Sequence, residues 1–280
     1  MAPNRFARVL VSLAAVLLML PGAARAQSST ALSGYLFDAE MWSPTLQQYM
    51  TFRIYLPPDY FRDEERRYPT LYMLHGAGGN YTEWSDSFLP EQLDDMIGLQ
   101  LVQPMIVVMP DGGSRTYWAN WDEGPHWSDY VAQDVVIEID SRFRTVPLQT
   151  ARGIGGLSMG GLGALQIAIR HPDVFGVVGA HSPSIRLEPD AEVWFLSAES
   201  FQYHNPIWLA ANMPGVERMT YWLDVGADDW WRPNIEDLRD ALFAARLNLT
   251  WRVFAGTHEA EYWIGHVPDY LRFYSDNLRA

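Results

Sequence analysis

The chain has 280 residues, 34 acidic against 20 basic, a net charge of −14, and 48% hydrophobic residues. That length suits one large α/β domain, and that hydrophobic share can fill a core, which excludes a disordered chain. The acidic balance repels phosphate backbones and excludes nucleic acid as a partner; the absence of cysteine removes disulfides, a thiol nucleophile and Cys-based metal sites.

Arg5 and Arg8 open the chain, residues 9–20 are apolar, and Ala24-Arg25-Ala26 supplies an A-x-A site. This pattern reads as a secretory signal peptide, residues 1–26, cleaved after Ala26. The expected location is therefore secreted or periplasmic, with the functional domain on residues 27–280. The apolar run is shorter than the about 20 residues of a bilayer span, so no stable membrane anchor is expected. Removing residues 1–26 takes away three arginines and no acid, leaving 17 basic against 34 acidic, or −17.

Beyond the leader, the apolar runs predict strands at 51–56, 70–74, 105–109, 153–157, 174–180, 219–225 and 250–254. Several are continuous, as parallel strands covered on both faces are. Amphipathic stretches at 130–143, 159–170 and 234–245 predict helices between them. Alternation of this kind implies a mostly parallel, doubly wound sheet. The strand ends run into His75-Gly76-Ala77-Gly78-Gly79, Pro110-Asp111-Gly112-Gly113, Ser158, Gly226-Ala227-Asp228-Asp229 and Ala255-Gly256-Thr257-His258. Ligands of open α/β sheets bind outside the carboxyl ends of the strands, so these loops converge on one edge.

Gly156-Leu157-Ser158-Met159-Gly160 matches G-x-S-x-G between a predicted strand and a predicted helix. That context is a nucleophile elbow: a strained turn exposes the serine hydroxyl at a helix start, where developing negative charge is favoured. Together with the sheet, it points to the α/β-hydrolase fold as a single domain, whose chain order is Ser, acid, His. Five histidines follow Ser158. His171 precedes the helix-ending Pro172, His204 lies in an irregular stretch, and His181 ends a strand where it could line the site. His258 follows the last strand and is favoured as base over His266, eight residues on. Asp224, Asp228 and Asp229 compete for the acid, and the residues alone do not separate the two loop neighbours. The oxyanion needs backbone donors, one from Met159 and one from Gly76 or Ala77.

Tyr68-Pro69-Thr70-Leu71-Tyr72-Met73-Leu74-His75-Gly76, the stretch from Gly156 to Leu165, His171-Pro172-Asp173-Val174-Phe175, and Gly256-Thr257-His258 with Glu261-Tyr262-Trp263 resemble an esterase family. That family takes in esterase D-like enzymes, feruloyl esterases and mycobacterial mycolyltransferases. The likeness runs from about residue 50 to the C-terminus. It implies an α/β-hydrolase with Ser158 as nucleophile, His258 as base and Asp229 as acid. Ala77 and Met159 then supply the oxyanion N–H groups. Thr257 and Ala260 depart from the family's pattern.

The substrate is less legible. Tyr117, Trp118, Trp121, Trp127 and Tyr130 cluster after Asp111; a second aromatic group, including Trp194, Phe195 and Trp208, follows His181. Trp230 and Trp231 flank the acid. Trp118, Trp121 and His181 are the expected substrate contacts, although core packing accounts for many such rings. Export argues against cytosolic S-formylglutathione and for an extracellular small-molecule or polysaccharide ester. No metal or cofactor is expected, and the oligomeric state has no signature. The rival expectations are acyl transfer to a sugar and carbohydrate binding without catalysis.

Overall fold

In the computed structural model, residues 32–279 are described, and the expected signal peptide lies outside them. Eight strands form one sheet: β1 (Tyr35–Ser43), β2 (Gln48–Leu56), β3 (Thr70–Leu74), β4 (Ile106–Pro110), β5 (Arg152–Leu157), β6 (Val177–His181), β7 (Thr220–Gly226) and β8 (Asn248–Phe254). Their spatial order is β1-β2-β4-β3-β5-β6-β7-β8. β1, β2 and β4 pair antiparallel, and every pairing from β4 through β3 to β8 is parallel.

β3, β4, β5 and β6 are buried at every residue, which explains their unbroken apolar sequence. One face packs under the helix Met159–Arg170 and residues 191–212, the other under Leu89–Gly98 and the C-terminal helix Ala260–Asn277. The sheet is thus doubly wound and mostly parallel, the α/β-hydrolase architecture. Among the described residues no helix is long and apolar enough to cross a membrane.

Three differences from the sequence reading have physical causes. β1 escaped it because it is an edge strand, largely exposed, with no apolar run to betray it. The stretch 174–180 starts too early: Val174 closes a turn onto the His171 carbonyl, and Phe175 plugs the core before β6 begins. The stretch 130–143 opens with a π-helical turn, Tyr130–Val135, before the α-helix Val136–Arg142.

The C-terminal helix lies very close to the centre of the sheet. A Cβ built on Gly155 of β5 would fall 1.7 Å from the Tyr274 hydroxyl. Only glycine leaves room there. We predict that Gly155→Ala costs about 1–3 kcal/mol through overpacking. Chemical denaturation of the variant beside the wild type checks this.

Candidate active site

Ser158 follows β5 and sits at φ 51°, ψ −116°, a conformation that costs an L-residue roughly 1–3 kcal/mol. Its surroundings hold it there. The Ser158 N–H donates to the His181 carbonyl at 3.1 Å, and the Ser158 carbonyl accepts from Leu162 and Ser184. The turn is possible because Gly156 and Gly160 touch: a Cβ on Gly156 would lie 2.4 Å from the Gly160 carbonyl carbon.

The last two strands deliver the other groups. The β7 and β8 loops are laced by Ala227 N–H to Phe254 O and Asp228 N–H to Gly256 O. This brings Asp229 to His258, whose Nδ1 lies 2.7 Å from Asp229 Oδ2. With Nδ1–H donating to the carboxylate, Nε2 is left as an acceptor, and Ser158 Oγ lies 2.8 Å from it. Asp229 is only 4% exposed. Burial pushes its carboxyl up, but the hydrogen bonds from His258, Ser182 and the Trp231 N–H outweigh that and hold it below the usual range. The ionised form is the one that fixes an imidazole tautomer. Of its rivals, Asp228 is exposed and Asp224 is sealed beneath the sheet edge. His266 meets Asp269 and stacks on Phe254 instead.

The loop after β3 is pinned at His75 and Gly76. His75 is buried, which lowers its pKa, and it is neutral: Nε2 accepts from Gly112 N–H at 2.9 Å, so Nδ1–H donates to the Gly76 carbonyl at 2.8 Å. Gly76 N–H donates to Glu83 Oε2 at 2.6 Å, so it is not free for a substrate oxygen. Ala77 N–H and Met159 N–H, by contrast, donate to no other group among the described residues. Burial raises the Glu83 carboxyl, against the Gly76 N–H that lowers it. Sequence reasoning missed Glu83; its place near the start of a short helix, just after a glycine loop, was the available signal.

Two expected substrate contacts are corrected. Trp118 is fully buried, its Nε1 on the His75 carbonyl at 3.2 Å and its ring against Gly112 and Gly163. His181 is also fully buried. The pleat turns its side chain toward the C-terminal helix while its carbonyl faces Ser158. Its ring nitrogens meet Asp224 Oδ1 at 3.0 Å and Tyr274 Oη at 2.9 Å. Trp121 is half-buried, stacked on Phe195 with ring centroids 4.5 Å apart, and lines a surface groove with Asn120, Asp122 and Tyr203.

Comparison with known proteins agrees with this architecture. The family described as "Putative esterase" matches residues 43–274. An esterase of Mycobacterium tuberculosis is 33% identical over 139 residues, 48% of this chain and 29% of the relative. An endo-1,4-beta-xylanase/feruloyl esterase of Xylanibacter ruminicola is 29% identical over 158 residues, 52% of this chain and 21% of the relative. The chain thus spans less than a third of the length of these curated relatives. Among solved structures, a ferulic acid esterase superposes with a TM-score of 0.80 at 22% identity, covering 88% of this chain and 99% of that one. An S-formylglutathione hydrolase from Agrobacterium tumefaciens gives 0.76 at 21%, covering 89% and 98%.

Burial lowers the pKa of His75, His171, His181 and His204, the last to about 4. Each binds a proton more readily unfolded than folded. Their stability contribution is therefore complete above about pH 6.5 and is lost as pH falls toward the folded values. Denaturant midpoints are expected to drop steadily from pH 7 to pH 5, with net proton uptake on unfolding. A flat profile over that range contradicts this prediction.

Proposed function

The chain belongs to the "Putative esterase" family, and from that premise we propose that it hydrolyses carboxylic esters through an acyl-enzyme on Ser158. The observation that carries the reading is the unbroken chain of contacts from Ser158 Oγ to His258 Nε2 and from His258 Nδ1 to Asp229, 2.8 and 2.7 Å.

Ser158 attacks the ester carbonyl as His258 takes its proton. The negative oxygen is met by the N–H groups of Ala77 and Met159, at the start of the helix Met159–Arg170, whose N-terminus favours the developing charge. Asp229 holds the imidazole tautomer and stabilises the imidazolium. His258 then passes its proton to the departing alcohol, bonded through its oxygen. In the second half, His258 deprotonates water, which attacks the acyl-enzyme, and the proton returns to Ser158 as the acid leaves. On this reading residues 1–26 are a signal peptide, residues 27–280 the esterase domain, and the substrate a small-molecule or polysaccharide ester outside the cytoplasm. Acyl transfer to a sugar uses the same acyl-enzyme, with a hydroxyl in place of water.

Glu83 has a supporting part. Its carboxylate takes the Gly76 N–H while His75 takes the Gly76 carbonyl, so the peptide that carries Ala77 N–H cannot rotate.

A fluorophosphonate is expected to label Ser158 in the wild type and not in Ser158→Ala, whose kcat falls by at least about 10⁴-fold. Turnover near wild type in that variant defeats the mechanism. Asp229→Asn, with the tautomer left free, is expected to lower kcat by about 10⁴-fold. Glu83→Ala is expected to lower kcat by about 10²-fold with little change in KM, as loss of one oxyanion donor does. Glu83→Gln, which keeps an acceptor for Gly76, should retain most of the rate; steady-state kinetics on one ester compares all four.

A further inference from the structure

His258 packs against two indoles of different character. Trp263 packs edge-on to it from within the core, with centroids 4.9 Å apart, and is itself buried. Trp230 also packs on it, its centroid 4.8 Å from the imidazole, and is 65% exposed. A single exposed aromatic is ordinary on a protein surface. What sets this one apart is its neighbour.

If Ser158 is the nucleophile, as proposed above, His258 hands a proton to the departing alcohol. That transfer needs the alcohol oxygen within about 2.6–3.2 Å of Nε2. Trp230 is the ring that touches His258 and still faces solvent. The acyl chain, bonded to Ser158, has no such constraint. We infer that the Trp230 indole is the stacking face for the alcohol half of the ester, and that this alcohol is a sugar ring.

Three further features support the assignment. Trp230 sits in a turn closed by Arg232 N–H on the Asp229 carbonyl at 3.1 Å, and the Trp231 N–H on Asp229 Oδ1 at 2.7 Å tightens it. The hydrogen bonds that seat the acid therefore also fix the backbone that carries the indole, and His258 packs on its ring. A pre-set aromatic plane suits a sugar, which offers a flat apolar C–H face and a rim of hydroxyls. Along the chain, exposed Asp228 and Glu259 flank the Asp229-Trp230 and His258 positions. Carboxylates accept from sugar hydroxyls and repel an anionic alcohol such as a phosphorylated one.

The test uses the methyl, phenethyl and 6-O-glucosyl esters of one acid, taken as whichever of acetate, butyrate or cinnamate is turned over fastest. Trp230→Ala is expected to raise the ratio of glucosyl-ester KM to methyl-ester KM about tenfold. Trp230→Phe recovers part of that change. Trp42→Ala, an exposed aromatic on β1, leaves the ratio alone. An unchanged ratio in Trp230→Ala, or a change confined to the phenethyl ester, overturns the assignment and leaves Ser158 standing, provided the wild type is labelled by the fluorophosphonate. A wild type that takes no label overturns the parent reading and this one together.

Discussion

The site depends on one strained peptide. Ser158 is held at positive φ because its N–H reaches the His181 carbonyl and because two glycines allow β5 and the following helix to touch. Those contacts offset the backbone cost and leave the hydroxyl standing clear of the sheet. Relaxing that turn would move Oγ away from His258 Nε2 and displace the Met159 N–H proposed to meet the oxyanion. The close packing of Tyr274 against Gly155 and Gly179 serves the same end, since it fixes the two strands whose ends form the turn.

Two imidazole–carboxylate pairs contact Ser158 through their histidines, and they differ in what faces Nε2. In His258–Asp229 it is a serine hydroxyl at the rim. In His181–Asp224 it is the Tyr274 hydroxyl, inside the core. Asp224 also accepts from Trp222, Tyr262 and Tyr270, so its lone pairs are filled and the pair is inert. Its work is mechanical: it anchors the residue whose carbonyl carries Ser158. A buried polar network of this kind specifies position when every member is satisfied.

The aromatic residues divide in a similar way. Trp84, Trp118 and Trp222 are buried, and their N–H groups go to Leu74, His75 and Asp224, so they brace the sheet from within its two core layers. Trp230 and Trp194 keep most of their surface open. Composition alone could not sort these rings, because an indole has an apolar body and one donor wherever it is placed.

The strands β2–β8 and the helix after Ser158 were legible, since parallel strands must be apolar throughout and G-x-S-x-G needs a strand before it and a helix after it, whereas the order of the strands in the sheet was not. The sequence by itself therefore determined the α/β class, the turn that carries Ser158, and the strand ends that bear the remaining candidates. It left Asp228 and Asp229 equivalent, since adjacent loop carboxylates differ only in direction. It could not place His181 below the sheet or engage Gly76 with Glu83. Those outcomes belong to the tertiary structure. Pleat direction, loop lacing and burial act between residues dozens of positions apart, and no local pattern records which side of a strand end a side chain will take.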